Sequence, residues 1–256
     1  MCFKQAVQAQ LKCINDLGIN CEVIKAETHV ESLKDWSKLG SLEDCIKWFK
    51  DQQKKKSLSI EDIPIAECRG WSVDKETGWI RHESGEFFVV QGVRVSTSPD
   101  REVGTKGWDQ PIIMQVGYNG GILGLLRKKI DEIPYYLVEA KAEPGNPDGV
   151  QICPTLQATF SNLKQAHGGR KPKFAEYFEV TDVRASCYIL FEQWMSEDGG
   201  RLHLKRNKGM IVEVPQNHDI VIPDGFRWMT LYQIKELIKM NSWVSPHIRG
   251  LYHAYN

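Results

Sequence analysis

The sequence predicts an α+β fold: a mixed sheet with flanking helices, preceded by a helical N-terminal segment. Three observations lead there. The first 62 residues carry helix-start signals and helical spacing. From Ile63 onward short β-rich runs follow one another between Gly, Pro and Asp turns. One late helical stretch interrupts those strands, and many strands with few helices argue against a doubly wound sheet. The organisation expected is a helical segment over 1–62 and an α+β catalytic domain over 63–256.

Thr28-His29-Val30-Glu31 and Ser41-Leu42-Glu43-Asp44 both read as helix starts, a hydroxyl cap with an acid in the first turn. Leu42, Cys45, Ile46 and Phe49 then recur at helical spacing. Lys54-Lys55-Lys56 suits a helix C-terminus, or else a phosphate contact. Ile63-Pro64 breaks the helix. The strand candidates are Phe87–Val90, Ile112–Val116, Tyr135–Val138, Cys187–Phe191 and Met210–Val214. Thr230-Leu231-Tyr232-Gln233 is a capping box, and Leu231, Ile234, Leu237 and Ile238 form the apolar stripe behind it.

Composition bounds the function. The 256 residues hold 33 Lys plus Arg against 33 Asp plus Glu. Neither nucleic-acid binding nor a polybasic membrane surface has the basic excess it needs. No segment approaches the ~20 apolar residues of a membrane span, and the N-terminus has no apolar run suited to a signal segment. Seven cysteines, none within three residues of another, form no disulfide framework and no CxxC pair, which fits free thiols in the cytoplasm. Rossmann and P-loop glycine patterns, GxSxG and HExxH are all missing. Seven scattered histidines announce no metal site.

Chemistry-bearing residues concentrate between 79 and 179. His82, beside Ser84 and Gly85, precedes a strand; it could exchange protons there or simply bond a neighbouring loop. Glu139, Lys141 and Glu143 share one face of a strand, which is either solvated or lines a polar cavity. The loop Glu143-Pro144-Gly145-Asn146-Pro147-Asp148-Gly149 follows directly. Gln151, Thr155, Gln157, Thr159 and Ser161 alternate, suiting either many-point hydrogen bonding to a sugar or base, or an exposed polar sheet face. Arg94, Arg101, Arg127 and Arg170 could each fork a phosphate. Trp71, Trp79 and Trp108 could stack on a ring or sit in the core.

The ordered motifs carry a resemblance. They are His82-x-Ser84-Gly85-x-Phe87-Phe88-x-Val90-x-Gly92-Val93, Trp108-x-Gln110-Pro111-Ile112, Gly121-Ile122-Leu123-Gly124 and Ala140-Lys141-x-Glu143-Pro144-Gly145-Asn146. Gln151-x-x-Pro154-Thr155-x-Gln157-Ala158-Thr159-x-Ser161-Asn162, His167-x-Gly169 and Trp228-Met229-Thr230-Leu231-x-Gln233-Ile234-x-x-Leu237 complete the set. Over roughly residues 45 to 250 the chain resembles the NDP-hexose 2,3-dehydratases. The resemblance implies a Nudix-like α+β fold without a readable Nudix box. It implies removal of water across C2 and C3 of a nucleotide-linked 4-keto-6-deoxyhexose, with no cofactor and no metal. The 3,4-diketo product would pass to a separate reductase. Family members are typically about twice this length and resemble two tandem copies, so a homodimer is expected to recreate the pair.

By that resemblance His82 or Glu143 is the base. Lys141 stabilises the enolate or protonates the leaving hydroxyl. Gln151, Gln157 and Asn162 hold the hexose and nucleotide, Arg94 and Arg127 the pyrophosphate, and Trp108 stacks on the base. Gln110, Asn146, Thr155, Thr159 and His167 complete the substrate-binding set. Departures are Glu139 for a more usual Gln, Leu163 where Tyr is expected, and Ser245-Pro246. Two further readings stay open: an epimerase or ketoisomerase on similar substrates, and a non-catalytic nucleotide-sugar-binding subunit.

Overall fold

The computed structural model describes residues 1–96, 107–117, 120–165, 168–197 and 200–255. Three helices come first: α1 (Phe3–Asp16), α2 (Val23–Leu33) and α3 (Leu42–Lys55). Strands follow as β1 (Trp71–Val73), β2 (Ile80–His82), β3 (Phe88–Val95), β4 (Trp108–Gln115), β5 (Gly121–Ile130), β6 (Ile133–Ala142), β7 (Val150–Cys153) and β8 (Leu156–Thr159). The short helices α4 (Phe160–Leu163) and α5 (Asp182–Ala185) precede β9 (Tyr188–Ser196), β10 (Arg206–Val214) and β11 (Phe226–Met229). Helices α6 (Leu231–Ile238) and α7 (Pro246–Tyr255) close the order.

Local chemistry explains the boundaries. Ser41 caps α3: its hydroxyl accepts from the Asp44 N–H, and the Asp44 carboxylate accepts from the Ser41 N–H at 2.8 Å. Thr230 and Gln233 do the same for α6. Thr28 is a correction. It lies inside α2, where its hydroxyl donates to the Ile24 carbonyl four residues back instead of capping a start. Of the lysine run, Lys56 reaches across and donates to the Ala140 carbonyl, so it ties α3 to β6 and is not simply solvated.

Two sheets result. β1 to β4 form an antiparallel meander. The larger sheet runs β11-β6-β5-β10-β9, mixed because β10 lies parallel to β5. β5 and β6 pair from Leu126–Leu137 to the turn, then separate. Into that fork go β7, which pairs with the departing end of β6, and β8, which pairs with the departing end of β5. One face of the sheet packs Leu123, Leu125, Val138 and Ala140 against Phe49 of α3, Ile234 of α6 and Leu251 of α7. The other packs Ile122, Leu126, Leu137 and Met210 against Phe174 and Phe178. Leu163 belongs to that second core, so its place is packing and not ligand contact.

α1 and α2 cover the β5–β6 turn through Phe3, Val7 and Val30 against Ile133 and Tyr135. Beside them lies a buried ion cluster. Arg127 of β5, fully buried, is bonded by Glu27 of α2 and Glu213 of β10, with Tyr136 and Glu31 completing the group.

A candidate active site at the fork of the sheet

A cavity of about 280 Å³ lies beside the fork, over Leu123. One flank comes from β6 and β8. Lys141 is at the end of β6, and its ammonium lies 3.3 Å from Glu143 just beyond the strand. The Gln157 side-chain amide of β8 donates to Glu143 at 3.3 Å. Thr159 and Asn162 line the same flank, and the Thr159 hydroxyl accepts from the Asn162 N–H to start α4. The two-residue period of a strand puts Lys141 and Glu143 together in the cavity lining, which Glu139 does not join.

The other flank was not anticipated. Lys205, at the start of β10, is 7 % exposed and donates to the Asn207 Oδ1 at 2.8 Å. The Asn207 amide donates to Glu197, which also lies 3.7 Å from the Lys205 ammonium. His247 in the first turn of α7 places Nε2 3.9 Å from the Glu197 carboxylate. Phe88 of β3 completes the lining, with Lys205 over its ring. An adjoining lobe of about 350 Å³, lined by Met195, Leu202 and Pro246, shares Leu123, Glu197, Asn207 and His247.

Electrostatics follows from burial. Loss of solvent pushes the Lys205 ammonium below its usual range, with Glu197 countering. Burial likewise lowers His247, against the pull of Glu197 and Glu143 and with Lys141 and Lys205 adding to the lowering. Burial raises Glu139, which Lys141, Lys56 and Lys173 partly offset. Burial thus weakens the hold of both His247 and Lys205 on a proton.

Other expected residues fall elsewhere. His82 is on the small sheet, its Nδ1 2.8 Å from the Ser84 hydroxyl and its ring against Phe87 and Trp71, and it is not among the lining residues. Arg94 is exposed and forks Asp109 with two 2.8 Å bonds. Trp108 and Gln110 bond one another on the next strand. Arg127 is corrected outright: it is sealed inside the ion cluster, where no pyrophosphate reaches it. Thr155 is spent on the fork, accepting from the Leu126 N–H and donating to the Leu137 carbonyl. Gln151 donates to the Ser242 carbonyl at 2.7 Å, and Asn146 to the Lys141 carbonyl at 3.2 Å. The row from Gln151 to Ser161 shares no single face, because β7 and β8 pair with different strands. Arg101 and His167 lie outside the described residues. Among the described residues no group of three or more His, Cys, Asp or Glu is placed to hold a metal ion, and no helix is long and apolar enough to cross a membrane.

The missed flank had a sequence signal. Lys205, Asn207 and Gly209 alternate immediately before the apolar run at 210–214, which extends that strand by one polar-faced stretch.

Comparison with known proteins agrees with the residue pattern. The NDP-hexose 2,3-dehydratase family model matches residues 42–254. A dTDP-4-dehydro-6-deoxy-alpha-D-glucopyranose 2,3-dehydratase of Amycolatopsis orientalis is 36 % identical over 211 residues, 82 % of this chain and 43 % of that protein. One from Saccharopolyspora spinosa is 38 % identical over 202 residues, 79 % of this chain and 40 % of that protein. The chain thus spans less than half the length of the curated relatives it matches. Among solved structures it is similar to a Nudix hydrolase from M. smegmatis, at 13 % identity and TM-score 0.33 over 60 % of this chain and 88 % of that one. It is also similar to an ADP compounds hydrolase, at 10 % and 0.37 over 64 % and 83 %. Likenesses of that order carry no inference about chemistry. The family match spans both flanks of the fork cavity, and on it the chain belongs to the NDP-hexose 2,3-dehydratase family.

Proposed function

We propose that this chain removes water across C2 and C3 of a nucleotide-linked 4-keto-6-deoxyhexose, the sugar end entering the fork cavity. The observation that carries the reading is the pairing of Lys141–Glu143–Gln157 on one flank with Lys205–Asn207 on the other. Dehydration needs a cation or hydrogen-bond donor at the C4 oxygen while the C3 proton leaves. It also needs an acid at the departing C2 hydroxyl. Lys205, pre-set by Asn207 and Glu197, stabilises the C4 oxygen. Lys141, held by Glu143, protonates the leaving hydroxyl. Gln157, Thr159 and Asn162 position the ring hydroxyls. The enol then tautomerises to a 3,4-diketo sugar, a reactive product that a separate reductase consumes.

We infer as well that the chain pairs with a second copy of itself. The small sheet supports this: Val73, Phe87 and Ile113 leave 62 %, 38 % and 43 % of their surface exposed. A monomer in light scattering counts against it.

The test is incubation with a dTDP-linked 4-keto-6-deoxyglucose in deuterated water. Loss of one water with deuterium uptake supports dehydration. Uptake without water loss makes the protein an isomerase, and neither makes it a binding subunit. Lys141→Ala should end water loss while dTDP still binds; undiminished dehydration overturns the role of Lys141.

A further inference from the structure

Two catalytic demands have owners on the cavity walls, and the third does not. The C3 proton needs a base that is unprotonated near neutral pH and not already engaged by another group. Glu143 is already engaged, 3.3 Å from the Lys141 ammonium and accepting from the Gln157 amide. His82 is outside the lining, its Nδ1 engaged with Ser84. His247 lines both the cavity and its adjoining lobe. We propose that His247, oriented by Glu197, is the catalytic base that takes the C3 proton. This rests on the dehydratase reading above.

The fold fixes His247 in place. Residues 243–245 run beside β7: the Ile152 N–H donates to the Trp243 carbonyl at 2.8 Å, and the Ser245 N–H donates back to the Ile152 carbonyl at 2.9 Å. Pro246 then opens α7 at the first helical position, where a missing N–H costs nothing. His247 is therefore carried on a pinned helix start above Leu123 and not on a free loop. The Ser245-Pro246 pair, a departure from the family pattern, makes that start. Glu197 accepts from Asn207 and sits 3.7 Å from the Lys205 ammonium and 3.9 Å from the His247 Nε2. One carboxylate thus lies beside the groups that handle the C3 proton and the C4 oxygen, and it stabilises the imidazolium once formed. Among the described residues, the charged groups acting on His247 are Glu197 just after β9, Lys205 just before β10, and Lys141 and Glu143 at the end of β6.

The step balances. His247 takes the C3 proton, and the C–H electron pair forms C3=C4 while the C4 oxygen becomes an enolate beside Lys205. The enolate reverts to a ketone, the pair moves to C2=C3, and the C2–O bond breaks with Lys141 giving the proton that completes water. The enol at C3 returns its hydroxyl proton to the Lys141 amine, and C2 gains one from the imidazolium.

The experiment follows C3 deuterium exchange and kcat/KM against pH in the full-length protein. His247→Gln should slow exchange by at least ~100-fold while dTDP binding persists. In the unsubstituted enzyme an acid limb should lie below the ordinary imidazole value of ~6.5. Glu197 raises the imidazole value, so Glu197→Gln should move that limb to still lower pH. Exchange at the parent rate in His247→Gln, or an unmoved limb in Glu197→Gln, overturns the proposal. If His247→Gln does not fold, the limb in Glu197→Gln decides alone. Failure of the parent protein to dehydrate or exchange any substrate overturns the dehydratase reading instead, so the two failures are distinct.

Discussion

The ion cluster under α2 makes stability depend on pH in a direction opposite to most carboxylates. Glu31 is 1 % exposed. Burial raises its carboxyl from 4.5 to about 7, with Glu27 and Glu213 adding repulsion and Arg127 and Tyr136 resisting. A raised acid binds more protons folded than unfolded between those two values. Stability is therefore fully present below the unfolded value and falls as pH rises through about 7. At ~1.4 kcal/mol per tenfold, that interval corresponds to on the order of 3 kcal/mol. Glu31→Gln holds the neutral form, and its amide oxygen still accepts from the Tyr136 hydroxyl, a 2.7 Å bond in the parent. Urea unfolding of both proteins from about pH 5 to about pH 9 measures the difference. The variant should gain on the parent by on the order of 3 kcal/mol, most of it between about pH 5 and about pH 7, and the difference should level off above that. A difference that stays constant with pH refutes the reasoning, because the mutation then reports only lost contacts.

Two other outcomes follow from packing. A methyl group on Gly124 would lie 2.5 Å from the Phe178 ring; Gly124→Ala should cost ~1–3 kcal/mol by overpacking, read as a lower urea midpoint with unchanged slope. Burial raises the Cys153 thiol to about 12, so alkylation at neutral pH should label the exposed Cys2 and Cys13 and reach Cys153 only after unfolding. Labelling of Cys153 at the rate of Cys2 in native protein contradicts this.

What could be read in the chain depended on how local each signal is. The boxes at Ser41 and Thr230 close within four residues, and both helices begin where they predict. The β-branched and aromatic runs at 87–90, 112–116, 135–138, 187–191 and 210–214 all lie wholly or mainly in strands. Thr28 misled because a hydroxyl can bond a carbonyl behind it as well as an N–H ahead of it, and residue type does not say which. α7 was not foreseen, since its short apolar stripe is weak and its start depends on pairing with β7. In the site, Lys141 and Glu143 were legible because strand period alone juxtaposes them. Lys205, Asn207 and His247 were not, because β10 reaches the cavity only by its parallel pairing with β5, far back in the chain. The arginines misled for a related reason. A guanidinium that forks a phosphate also forks a carboxylate, and Arg94 and Arg127 both found carboxylates within the chain.

On the proposed reading, charge balance in the cavity decides which end of a nucleotide sugar enters. Among the described residues the cavity lining carries Lys141 and Lys205 against Glu143 and Glu197, two cations against two anions. Each lysine is already within 3.7 Å of a carboxylate. A diphosphate brought inside would face two carboxylates in a partly desolvated space without a surplus cation, which is strongly unfavourable. A neutral 4-keto-6-deoxyhexose ring meets no such penalty, and its carbonyl and hydroxyls match the donors and acceptors present. On the proposed reading the sugar is therefore the end that enters, and the diphosphate stays toward solvent at the mouth. The even charge count of the whole chain repeats itself inside the cavity, and on the proposed reading it favours the uncharged end of a charged molecule.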